Sequence, residues 1–254
     1  MTKTIAARIH QRTDVIFRSL ISTTPAAVLV RDGHKQISTQ AGSYAAPAGH
    51  VVLLPDRTAL EICNKPGSQG HYSAAIITVP RSLITFTEPE SYVSATDDSR
   101  VVGAFERALI ASCDPLVPEP IRAHYVQEIL LWFNEIGICF PPSRNLNVAD
   151  RVRDLICKSL DNHWKADEVA IHLGMSEASL RRHLANLGTN FSSLLVDARM
   201  TQALALLQST DLSINRIALE VGYASPSQFA ARFRDRFDVP PSAIRGGTLI
   251  GSGQ

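Results

Sequence analysis

The stretch ADEVAIHLGMSEASLRRHLANLG (166–188) decides how the second half of this 254-residue chain is read. Ala166 to Leu173 predicts a two-turn helix, with Val169 and Leu173 stacked at i, i+4 on its inner side. Gly174 follows where the chain must turn through positive φ, which glycine reaches without steric cost. Ser176 then stands as an N-cap, and a second helix is expected from Glu177 to Asn186. Leu180, Leu184 and Leu187 give that helix a buried stripe, and the opposite stripe is Ala178, Arg181, Arg182 and Ala185. Small residues flanking two arginines allow close approach to a duplex, and an arginine fork matches both guanine O6/N7 and phosphate.

The layout returns at INRIALEVGYASPSQFAARFRDRF (214–237). Ile214, Ile217, Ala218 and Val221 form the apolar side of a short helix, Gly222 makes the turn, and Ser225 caps a helix with Pro226 at its first position. Phe229, Phe233 and Phe237 line the inner face; Ser227, Ala231, Arg234 and Asp235 lie outside, with Gln228 and Arg232 on the flanks. Between the units, FSSLLVDARMTQALALL (191–207) reads as one long helix able to hold them at a fixed separation. A single helix-glycine-helix segment is a common helical hairpin, and a lone Arg-Arg pair is usually a solvated surface. Two copies joined by a helix, each with a glycine turn, a serine cap and outward basic residues, form a far more specific signal.

On ADEVAIHLGMSEASLRRHL, the stretch from Asp197 to Phe233 and the closing FDVPPSAIR, the region from about Asp150 to Arg245 resembles the DNA-binding domain of the AraC/XylS family. The resemblance covers roughly two-fifths of the chain. It implies a seven-helix domain reading two consecutive sites on double-stranded promoter DNA, usually to activate transcription by recruiting RNA polymerase. Carried over by position, Ala178, Arg181 and Arg182 face bases, with Ser176 and Ser179 near phosphate; the second unit uses Ser225, Pro226, Ser227 and Ala231. Many relatives have arginine where Ala231 stands, which leaves Gln228, Arg232 and Arg234 to compensate through phosphate. Asp238 replaces the family's common glycine, and Ile244 its common tyrosine.

The first half reads differently. AAVLVRD (26–32), HKQISTQ (34–40), GHVVLLP (49–55) and HYSAAIITVP (71–80) are short runs bounded by turn residues, expected as strands of a small cupin-like barrel or sandwich. From Asp98 to Ala111, Val101, Val102, Phe105, Leu109 and Ile110 recur at helical spacing. A second helix is expected at 119–138, with Ile121, Tyr125, Ile129, Trp132, Phe133 and Ile136 on one side. CFPPSRNLN (139–147) reads as a linker. The expected fold is α+β, with a regulatory or dimerisation domain at 1–140 and an all-α DNA-binding domain at 148–247.

The chain carries 25 Lys+Arg and 24 Asp+Glu, a net charge of +1. Split after Ser143, the first part holds 12 basic and 13 acidic residues and the remainder 13 and 11, so the charge moves from −1 to +2. Basic groups must therefore be placed on one face rather than be in general excess. The opening residues show no apolar leader and no run suits a membrane helix, so a cytoplasmic setting is expected. Cys63, Cys113, Cys139 and Cys157 have no CxxC spacing and are expected as reduced, buried or half-buried thiols.

The order of strands, helices, linker and domain resembles the virulence and acid-resistance branch of the family, in some of which a long-chain fatty acid binds between the domains. For an acidic effector here, Arg31, Lys35 and Arg57 are the candidate cations, and helix 119–138 is a candidate homodimer face with Trp132 and Phe133 as anchors. No catalytic residue, cofactor or metal is expected. A promoter-occupying repressor is the alternative; a metal-dependent cupin enzyme, using His34, His50 and His71, is the rival from another class, but lacks the HxH spacing with a following Glu.

Overall fold

A computed structural model describes residues 4–39, 42–84, 95–140 and 146–245. Nine strands come first: β1 (Ala6–Gln11), β2 (Val15–Leu20), β3 (Ala26–Asp32), β4 (His34–Thr39), β5 (Gly42–Pro47), β6 (Val51–Leu54), β7 (Leu60–Lys65), β8 (Tyr72–Thr78) and β9 (Ala95–Thr96). They form two antiparallel sheets, ordered β1-β8-β3-β6-β9 and β2-β7-β4-β5. Helices α1 (Ser99–Cys113) and α2 (Glu119–Glu135) follow, α2 ending three residues before the expected boundary because Gly137 turns through a φ of +72°.

The five-stranded sheet is buried on both faces, which is why its strands read as continuous apolar runs rather than alternating ones. Ala27, Leu29, Val51, Leu53, Ala75 and Ile77 face α1 and α2, meeting Phe105, Ile129 and Phe133. Val28, Val30, Val52, Tyr72 and Ala74 face the other sheet, meeting Ile37, Leu60 and Ile62. Phe133 is thus a core residue rather than a free dimer anchor, and Trp132 is partly buried beside it. Ile110 and Ile121 point to solvent instead of sharing this core.

The remaining helices are α3 (Val148–Ile156), α4 (Ala166–His172), α5 (Glu177–Asn186), α6 (Phe191–Ser209), α7 (Ile214–Glu220), α8 (Pro226–Phe237) and α9 (Pro241–Arg245), the seven that the resemblance implies. They build two cores. One unites α3, α4, α5 and the first half of α6 through Val152, Ile156, Val169, Leu180, Leu184 and Leu194. The other unites the second half of α6 with α7, α8 and α9 through Met200, Leu204, Ile217, Phe229, Phe233 and Ile244. Val15 and Phe17 of β2 belong to this second core, and Phe17 meets Phe237 edge-on with ring centroids 5.5 Å apart. The helical end of the chain therefore packs directly on the strand domain.

All four cysteines are free; Cys63 and Cys139 are buried, whereas Cys113 and Cys157 are exposed, not the half-buried thiols expected. Among the described residues no helix is long and apolar enough to cross a membrane.

Candidate nucleic-acid interface

Both expected units form, and their local grammar is the one read from sequence. The Ser176 hydroxyl accepts from the Ser179 amide at the start of α5, and the Ser225 hydroxyl accepts from the Gln228 amide at the start of α8, with Pro226 in its first turn. Asn190 and Ser213 cap α6 and α7 in the same way. Each cap satisfies a backbone donor that the helix itself cannot, worth about 1 kcal/mol. Gly174 and Gly222 turn at φ +70° and +85°. At Gly222 a side chain would also collide, since an added Cβ would sit 2.5 Å from the Leu160 carbonyl and from the Arg199 guanidinium.

On α5, Leu180 and Leu184 are buried while Ala178, Arg181, Arg182 and Ala185 are exposed, so the two stripes separate as expected. Leu187 departs: it lies past the last turn, at the C-cap, and is 47% exposed. Ser176 is exposed and Ser179 half-buried. On α8, Phe229, Phe233 and Phe237 are buried in a ladder of tilted, edge-on rings, and Pro226, Ser227, Gln228, Ala231, Arg232 and Arg234 are exposed opposite them. Ser225 is exposed at the head of the helix.

The four arginines of these faces fall into two kinds. Arg181 is bonded one turn back to Glu177, and Arg232 lies 3.9 Å from Asp235. Arg182 and Arg234 form no ion pair among the described residues. Helices α5 and α8 thus each offer one cation with no ion pair among the described residues and one that must first leave a carboxylate. The acidic partners neutralise part of each face, which accords with the small net charge of the domain.

Helix α6 joins the units. Its 19 residues span about 28 Å at 1.5 Å per residue, comparable with the roughly 34 Å between successive major grooves on one side of DNA. Arg199, half-way along it, holds both units to the rod. Its Nε donates to the Leu160 carbonyl at 3.1 Å and an Nη to the Asn162 carbonyl at 2.9 Å, while the guanidinium lies over the Tyr223 ring. Sequence reading missed this residue because its partners are 37 and 39 residues away.

It also missed Arg236. From the last turn of α8, Arg236 donates to Asp197 of α6 at 2.8 Å and to the carbonyls of Arg18 and Ser19 on β2 at 2.8 and 3.0 Å. Helix α8 is therefore fastened by its C-terminal end to the strand domain.

The three candidate effector cations lie apart. Arg31 grips Glu106 of α1 with both ends of its fork on the outer surface. Arg57 pairs with Asp154 of α3 at 2.5 Å, bridging the two halves of the chain. Lys35 is 3% exposed inside the strand domain, where it donates to Asn64 at 2.6 Å and lies over the Tyr72 ring. Burial pulls the Lys35 ammonium down to about 7, because low-dielectric surroundings disfavour its charged form. The Tyr72 hydroxyl is buried with no hydrogen-bond partner among the described residues. His34, His50 and His71 join no group of three or more metal-ligating side chains among the described residues.

Residues 169–247 match a family described as a helix-turn-helix domain. The transcriptional regulator SirC of Salmonella typhimurium is 38% identical over 96 residues, which are 38% of this chain and 32% of SirC. The virulence regulon transcriptional activator VirF of Shigella flexneri is 28% identical over 97 residues, 38% of this chain and 37% of VirF. The chain thus spans about a third of the length of the curated relatives it matches. The crystal structure of unsaturated fatty acid-bound ToxT from Vibrio cholerae aligns over 98% of both chains with a TM-score of 0.67 at 15% identity, which establishes the shared fold: cupin-like antiparallel sheets followed by a helical helix-turn-helix domain. With two capped, glycine-turned units on one connecting helix and this match across them, residues 169–247 form a helix-turn-helix domain.

Proposed function

We propose that this protein is a cytoplasmic, sequence-specific DNA-binding regulator of transcription, acting as an activator that brings RNA polymerase to its promoters. One observation carries the reading: two recognition helices, each with an exposed arginine-bearing face, are held to a single rod of about one groove repeat. Ala178, Arg181 and Arg182 read bases on the first helix, with Ser176 and Ser179 at phosphate. On the second, Ser225, Pro226 and Ser227 approach the groove, while Gln228, Arg232 and Arg234 hold the backbone. The names of SirC and VirF, a regulator and an activator, support this role.

The strand domain is the regulatory part, covering about residues 1–140, and α2 supplies a homodimer contact through its outward side chains Ile121 and Leu131. ToxT has been solved with an unsaturated fatty acid bound, and an apolar carboxylate is the effector class we infer here. Lys35 suits a carboxylate better than Arg31 or Arg57, because they already hold Glu106 and Asp154.

Mapping genomic fragments bound by the full chain, with a reporter driven by each, tests the proposal. Enrichment of promoters carrying two half-sites about one turn apart and a rise in reporter output are expected. Binding indistinguishable from random competitor at low salt would remove the regulator reading, and falling output would replace activation by repression.

A further inference from the structure

Helices α3, α4 and α5 pack on the first half of α6, and α7, α8 and α9 on the second, so that among the described residues the two cores share no helix but the rod. Held by its own core alone, each unit would be free to pivot on α6. A contact running from one unit to the other opposes this. It lies at mid-rod, where Ala198 belongs to the first core and Met200 to the second.

Arg199 makes the contact with the edge and the face of its guanidinium. Along the edge, Nε donates to the Leu160 carbonyl at 3.1 Å and an Nη to the Asn162 carbonyl at 2.9 Å, both in the loop after α3. The face covers the Tyr223 ring, 5.4 Å from its centroid, in the turn between α7 and α8. Leu160 is buried in the first core and Tyr223 in the second. Loop and turn also touch directly, since a Cβ at Gly222 would lie 2.5 Å from the Leu160 carbonyl oxygen. A planar fork serves two carbonyls and an aromatic ring at once; the compact ammonium of lysine does not.

One base pair turns a duplex by about 34° and advances it by about 3.4 Å. Two helices locked in angle therefore accept one half-site spacing and reject its neighbours, whereas helices free to pivot follow both. We propose that Arg199 locks the angle between α5 and α8, and with it the half-site spacing that the protein accepts. Its fork is committed inside the domain, so it is a positioning residue, acting through Tyr223 and the loop at 160–162. The lock rests on the two-site reading of DNA for its use at promoters, while the angle itself is a property of the free protein.

The angle is tested first without DNA. Spin labels at Ala185→Cys on α5 and Ala231→Cys on α8, both exposed positions, report the distance between the helices by double electron–electron resonance. The exposed Cys113 and Cys157 are replaced by serine in the same full chain. One narrow distribution is expected with Arg199 in place, and a clearly broader one in Arg199→Lys and in Tyr223→Leu. Equal widths would overturn the lock. Arg199→Lys keeps the charge and the stem, and Tyr223→Leu keeps an apolar filling for the second core, so the two variants threaten folding in different ways.

Affinity of the chain with its native cysteines is then measured for duplexes at the preferred spacing and one base pair longer or shorter. With Arg199 in place, the change of spacing should cost roughly 100-fold, and in either variant roughly tenfold or less. A chain that is merely less stable loses affinity at every spacing by the same factor. An unchanged ratio in both variants would therefore refute the spacing role. If the chain with Arg199 prefers no duplex at all, the regulator reading falls together with the spacing role, and the label distances decide the lock by themselves.

Discussion

Arg181 and Arg182 are neighbours in sequence, yet they differ in the work needed to reach DNA, and that difference is measurable. Arg181 is held by Glu177 one turn earlier on α5, with side-chain exposures of 74% and 38%; Arg182 has no ion pair among the described residues. An exposed i, i+4 pair is worth about 0.3–0.5 kcal/mol, while a bidentate arginine–guanine contact discriminates by about 1–3 kcal/mol. On the proposed reading the base contact wins, and Glu177 acts as a small competitor. Arg181→Ala or Arg182→Ala should weaken binding to a cognate duplex by roughly 5- to 150-fold while changing a scrambled duplex far less. Glu177→Ala should strengthen cognate binding about twofold, the equivalent of removing that competitor. Fluorescence anisotropy on cognate and scrambled duplexes across a salt series measures all three. If the cognate and scrambled affinities fall in parallel for both arginine variants, these residues hold backbone rather than read bases. If Glu177→Ala weakens cognate binding, the competitor argument is wrong and Glu177 touches the DNA.

Other expectations concern stability. Because the Lys35 ammonium titrates near 7 in the folded chain, well below its ordinary range near 10.5, the unfolded chain holds a proton that the folded one lacks between those values. Stability should therefore rise with pH over that window, with a slope approaching about 1.4 kcal/mol per unit; the rise should be absent in Lys35→Met, as denaturant titrations at several pH values would reveal. Gly222→Ala forces a side chain into positive φ and against the Leu160 carbonyl, and should cost more than about 2 kcal/mol in the same assay. Asp238 caps α8 at a φ of +62°, so Asp238→Gly should stabilise by about 0.5–1 kcal/mol, visible as a higher Tm.

The helical half was legible because its signals are local. A serine cap, a glycine turn and a stripe at i, i+4 each lie within a few residues, and all of them stand where the sequence reading put them, save Leu187 beyond the last turn of α5. In the strand half, β3, β4, β6 and β8 were expected, because double burial or bounding turns mark them. The strands β1, β2, β5, β7 and β9 were not. AARIHQ mixes buried and exposed positions, LEICNK is buried or half-buried throughout, and their inward polar residues, Gln11 and Asn64, hide the apolar rhythm. The burial of Lys35 was within reach, since it shares the inward side of β4 with Ile37. The grip of Arg236 was not: its β2 partners lie 217 and 218 residues away, and no local pattern encodes them.

The core that contains Val15 and Phe17 also contains Met200, Phe233 and Phe237. Cutting the chain at its proline-rich linker divides the polypeptide but not the hydrophobic interior. A fragment holding only the strands would present a wet, apolar wound along β2, and one holding only the helices would bare the matching ladder of phenylalanines. Swapping strand domains between chains of this fold thus means transplanting a seam as well as a domain, with β2 travelling alongside the helix it seals.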